Sequence, residues 1–148
     1  VVSKWFSYKE AVGSSTASQR GIDNTPTPNI LEAIKSSAKR LDAVRELLGK
    51  PILVNSWYRC PELNKVVGGS ATSDHLSGRS IDFISPSYGS PYDVCLAIKD
   101  SGIEFAQLIF ETNSRGSQWV HIGFGTKMRG EVLTYSPKKG YRKGLWES

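Results

Sequence analysis

Histidine is nearly absent from this 148-residue chain: there are two, beside two cysteines and one methionine. The cysteines, Cys60 and Cys95, lie far apart and form no C-x-x-C pair. That indicates no disulfide framework; a single disulfide is possible, and two free, partly buried thiols are the expectation. No stretch reaches the ~18 consecutive apolar residues of a membrane span. The opening "VVSKWFSYKEAVGS" carries no apolar core of a secretory signal, and it lacks an initiator Met, as a processed or trimmed chain would. No internal repeat, low-complexity tract or linker is visible, so residues 1–148 are expected to form one domain. A chain of this length can bury ~70% of its unfolded surface. The balance of 39% hydrophobic and 22% charged residues is that of an ordinary globular protein.

Charge is unbalanced but diffuse. Nineteen basic residues face fourteen acidic ones, a net charge of +5. Such a surface suits polyanions, nucleic acid and the anionic polymers of a bacterial envelope included. Only "SPKKGYRKG" near the C-terminus is dense in cations, and neither zinc-finger spacing nor an RNA-binding aromatic motif accompanies it. A solvated surface is the expectation, with no nucleic-acid partner.

What is present is periodicity. Segment 13–29, rich in Ser, Thr, Asn and Pro, is expected to be a long ordered loop. After Pro28, the residues Ile30, Leu31, Ile34, Ala38, Leu41, Val44 and Leu48 recur at helical spacing, and Gly49 supplies the stop. Strands are predicted over 51–57, 80–84, 105–111, 118–124 and 131–136, and helices over 61–67 and 90–102, the latter capped by Ser90. The short "TNSRGS" loop makes 105–111 and 118–124 a hairpin. The fold class is α+β: a small, mostly antiparallel sheet with flanking helices.

Both histidines fall where a metal could use them. In "SDHLSGRSIDF", His75 sits in a turn-rich segment, Gly78 lets the chain bend, and Asp82 lies on the following strand. In "QWVHIGF", His121 alternates with Val120 and Ile122 and so faces away from them. If the two strands are neighbours, Asp82 and His121 share a face and His75 can fold over from its loop. Two histidines and a carboxylate with an open position are what metal-assisted hydrolysis requires. Taken singly, each could equally be a hydrogen-bonded structural residue.

The surrounding text adds a resemblance. "SDHLSGRSIDF" resembles the S-x-H-x-x-G-x-A-x-D signature of zinc D-Ala-D-Ala carboxypeptidase-like peptidases. "NSWYRCPELNKVVGG" is similar to their upstream S-G-Y-R-S-x-x-x-N segment and "QWVHIGF" to their closing W-x-H segment. "SSTASQRGIDNTPTP" resembles the N-terminal region of phage and bacterial members. The resemblance spans about residues 6–124. It implies the α+β fold shared with the Hedgehog signalling domain, with His75, Asp82 and His121 as Zn2+ ligands. It also implies Arg59 as the arginine that binds a substrate carboxylate or a developing oxyanion; a salt bridge is the alternative. Ser73 is expected to bind substrate or support the ligand loop, or to cap a turn.

Two positions depart from the pattern. Ser80 replaces the signature alanine, a small-for-small change. Gln118 stands where the carboxypeptidase members place an acidic residue; it can orient water or polarise a carbonyl but cannot accept a proton. Glu111, ending the strand that pairs with "QWVHIGF", is the candidate base, its pKa raised by apolar neighbours; otherwise it bonds to the "TNSRG" loop. Asp74, beside His75, is a weaker candidate.

The expected function is therefore that of a zinc metallopeptidase cutting peptidoglycan stem peptides. It would be a D-Ala-D-Ala carboxypeptidase or an endopeptidase of the L-Ala-D-Glu type, monomeric and acting in phage-type lysis. It would be phage-encoded or cytoplasmic until released to the wall, or virion-associated. The alternative is a non-catalytic zinc-bearing binding or virion structural module of the same fold.

Overall fold

The computed structural model describes residues 1–147. Helices α1 (Tyr8–Val12), α2 (Ser15–Arg20) and α3 (Pro28–Leu48) precede β1 (Leu53–Ser56) and α4 (Pro61–Val66). A 3-10 turn over Asp74–Ser77 leads into β2 (Ser80–Ile84), followed by α5 (Pro91–Ser101). Then come β3 (Gln107–Thr112), β4 (Gln118–Gly123), β5 (Glu131–Ser136) and β6 (Gly140–Lys143). The α+β class holds, with three corrections to the expected elements. Segment 13–29 is not all loop: Ser14 accepts from the Ala17 amide and Gly21 closes α2 in the left-handed conformation. Helix α1 was not anticipated although Ser7 and Glu10 form a capping box. Strand β6 lies within the basic "SPKKGYRKG" text, where charge hid a hairpin.

The sheet has six strands in the order β1-β2-β4-β3-β5-β6. It is mixed rather than small and mostly antiparallel, because β5 runs parallel to β3. The cause is a short connection. Leaving β4, the chain rounds the start of β3, where the Gly130 and Glu131 amides donate to the Phe105 and Ala106 carbonyls. It therefore enters β5 in the direction of β3.

One face of the sheet is the core. Strand alternation sends Ile81, Phe83, Leu108, Val120 and Ile122 to that face, all fully buried. Helices α3 and α5 supply the opposing layer. The predicted stripe of α3 is buried at Ile34, Ala38, Leu41, Val44 and Leu48, with Ser37 beside it, while Ile30 and Leu31 are only half-buried at its start. Each fully buried aliphatic side chain contributes roughly 1.5–3 kcal/mol. The other face is open and carries the candidate site.

Both cysteines are free and buried. Cys60 caps α4, its Sγ accepting from the Leu63 amide. Burial in α5 pushes the Cys95 thiol up to about 12. Cys95 should accordingly react with a thiol reagent at pH 8 only when the protein unfolds. Labelling that proceeds in the native state faster than global unfolding would contradict its placement.

Candidate metal centre

The site begins with sheet register. Asp82 on β2 lies directly opposite His121 on β4, and Ile109 of β3 flanks His121 on the other side. One step along the same face, Glu111 of β3 lies opposite Trp119 of β4 and beside Tyr135 of β5, which is opposite Tyr141 of β6. Two rows of side chains thus cross the open face. They line a cleft of about 570 Å³.

His75 reaches this face from the 3-10 turn. Ser73 caps the turn, its Oγ accepting from the His75 amide at 3.1 Å. Gly78 closes the turn in the left-handed region at φ 75°, where a Cβ would meet Ile34 Cγ1 at 2.6 Å. The buried Trp57 grips the turn at both ends: its indole N–H donates to the Gly78 carbonyl at 2.9 Å, and its own carbonyl lies 2.6 Å from His75 Nδ1. The Arg59 amide adds a bond to the His75 carbonyl at 3.0 Å. Behind this segment, Asn24 binds the Tyr58 carbonyl and the Cys60 amide, so the connection between α2 and α3 anchors it.

The donor set fits a cation. Because a carbonyl only accepts, His75 Nδ1 carries the proton and Nε2 is left to face Asp82 Oδ2 at 3.2 Å. His121 Nδ1 lies 2.8 Å from Asp82 Oδ1 and 3.8 Å from Glu111 Oε2. One ligand atom from each of His75, Asp82 and His121 falls within 4.8 Å of the others. Acceptor atoms crowded this closely need a shared proton or a metal ion between them.

Electrostatics follow from this crowding. When shared protons rather than a metal occupy the site, burial opposes charge on Asp82, but hydrogen bonds from the His121 and His75 rings, and the positive charge those protons bring, hold its carboxyl well below the usual range. Burial likewise opposes charge on His121, and the bond and charge of Asp82, with Glu111 and Asp74 behind, raise its pKa nonetheless. Burial and then the Asp82 charge lift Glu111 above the ordinary carboxylate range, against the pull of His121, the Trp119 N–H and Arg59.

The structure brings most of the candidate residues together. Arg59 lines the cleft, and its buried Nε finds no acceptor among the described residues. It is in no salt bridge there, so its guanidinium is available to an anion. Burial lowers its pKa, opposed by Asp82 and Glu111. Ser73 and Asp74 also line the cleft. Glu111 is not bonded to the "TNSRG" loop; its Oε2 accepts from Trp119 Nε1 at 3.1 Å. Gln118 is not brought in. Through the regular strand β4 it faces opposite to Trp119 and His121, and its amide lies 3.4 Å from Thr112 Oγ1. Trp119, Tyr135 and Tyr141 went unrecognised as site residues. Strand parity with His121 was enough to find Trp119, whereas the tyrosines needed the β5–β6 pairing.

One divalent transition metal per chain should bind, shown by calorimetric titration with Zn2+ or Co2+. A thousandfold excess over Kd should stabilise the fold by ~4 kcal/mol. His75→Ala, Asp82→Ala and His121→Ala should each remove that stabilisation. Gly78→Ala should cost roughly 2–4 kcal/mol through backbone strain and the Ile34 contact. Metal-dependent stabilisation that survives all three ligand substitutions would place the ion elsewhere.

Comparison with known proteins agrees with the geometry. No curated protein matches the chain. The family described as Peptidase M15 matches residues 4–123, a span that holds Arg59, His75, Asp82, Glu111 and His121 and ends where β4 ends. The chain belongs to the peptidase M15 family, whose members are metallopeptidases.

Proposed function

We propose that the protein is a zinc-dependent peptidase of bacterial peptidoglycan, cutting its stem peptides as a D-Ala-D-Ala carboxypeptidase or an L-Ala-D-Glu-type endopeptidase. The observation that carries this reading is the Glu111 carboxylate, on the same open sheet face as His75, Asp82 and His121 and 3.8 Å from His121 Nδ1. When bound by these three residues, zinc supplies a Lewis acid and a water of lowered pKa. The protein's own groups do the rest. Glu111, steered by the Trp119 N–H and made more basic by its surroundings, takes a proton from the attacking water and delivers it to the leaving amine. Arg59, half-buried in the cleft and in no salt bridge among the described residues, binds a substrate carboxylate or the developing oxyanion.

A carboxylate in place beside the metal ligands also supports catalysis over a binding or virion module, since that alternative drew its strength from Gln118. A role in phage-type wall lysis rests on the resemblance of segment 14–28 to phage members.

Purified peptidoglycan incubated with the zinc-loaded protein should yield products readable by mass spectrometry. Free D-Ala identifies a carboxypeptidase, and new N-terminal D-Glu an endopeptidase. Glu111→Gln should lower kcat by ~10²–10⁴-fold with metal content unchanged. Arg59→Ala should lower kcat/KM by ~10²-fold or more, and Gln118→Ala should leave both parameters near those of the parent. Absence of turnover on every wall type tried would sink the reading.

A further inference from the structure

The β5–β6 hairpin and the segment after it lie beyond the family match, and they build a second concavity that the catalytic reading does not use. It is a groove of about 610 Å³ between the β3–β4 and β5–β6 turns, within the size range of small-ligand sites. Three cations line it, Lys138, Lys139 and Arg142, and no carboxylate does among the described residues. None of the three is in a salt bridge among the described residues, and the buried Nε of Arg142 has no acceptor there.

The groove also has a fixed ring. Trp146 is 53% exposed, yet its amide donates to Thr134 Oγ1 at 3.0 Å and its indole N–H to the Lys143 carbonyl at 2.8 Å. The Arg142 guanidinium lies 5.9 Å from the centre of that ring. An exposed indole held this firmly offers a flat apolar platform bordered by positive charge.

We propose that this groove is a second binding site, taking a phosphodiester-linked sugar or polyol chain. Guanidinium and ammonium groups with no carboxylate partner among the described residues match phosphate, and the indole can cover the C–H face of a sugar or polyol. Single-stranded nucleic acid fits less well, because it needs successive ring platforms and the other groove aromatics, Phe110 and Tyr135, are buried and half-buried. Tyr135 lines both the groove and the catalytic cleft. A chain held in the groove would therefore keep the enzyme beside wall material while the cleft works on peptide. That the occupant is a wall polymer rests on the peptidoglycan reading; the binding itself does not need catalysis.

The test is a titration of the full chain with polyglycerol phosphate, followed by Trp fluorescence at about 50 mM salt and at rising salt. It is run with and without chelator, beside Lys138→Glu/Lys139→Glu and Arg142→Gln. Binding should appear in both metal states, weaken steeply with salt, and fall at least ~tenfold in either variant. Hydrolysis of a short soluble peptide substrate should be unchanged in both. No binding at low salt, variants that bind like the parent, or equal competition by an oligonucleotide of the same phosphate number would each overturn the proposal. Binding without any peptidoglycan turnover would leave the groove standing and remove the substrate reading instead.

Discussion

The open face of this protein depends on one clasp. Trp57 holds the turn that carries His75 from both sides, through its indole N–H to Gly78 and its carbonyl to His75 Nδ1. The second contact decides chemistry as well as position, since it fixes the proton on Nδ1 and turns Nε2 toward Asp82. The same backbone run then presents Arg59 to the cleft. Asn24 and the Ala11 carbonyl hold the run from behind. Residues far from the open face, in α1 and in the connection before α3, thereby set where His75 and the cleft arginine stand.

Against that clasp the sheet supplies the rest by register. Pairing of β2 with β4 sets Asp82 against His121, and pairing of β4 with β3 brings Glu111 within reach of the same ring. Four ionisable groups gathered on a half-buried surface repel or attract strongly, because little water screens them. The outcome is a division of labour between two carboxyls. Asp82, bonded by both histidines, stays charged, while Glu111, pressed by burial and by Asp82, is the more basic.

The two faces of the sheet differ because the helices cover only part of it. Helix α5 packs on β3 and β4, and the core ends there. Beyond it, the β5–β6 hairpin extends the sheet, so its cleft side offers Tyr135 and Tyr141 while its reverse side leaves the groove capped by Trp146. The basic groove and the tyrosine-lined end of the cleft are consequences of the same extension.

The amino-acid sequence by itself determined the donor types and their order, the apolar stripe of α3, and a bend at Gly78. These are local: a helix period, a glycine, a histidine and an aspartate seven residues apart. Alternation along β4 also carried a signal that position 118 faces away from His121, although the family-like spacing pointed to Gln118. Only the tertiary structure decided that Glu111 turns to Trp119 and the candidate ligands rather than to the loop, that a carbonyl of Trp57 fixes the His75 tautomer, and that β5 lies parallel to β3. The first is a choice of side-chain partner, and the other two join segments distant in the chain. Strand register, backbone acceptors and the path of a short connection leave no periodic trace in the residues that adopt them.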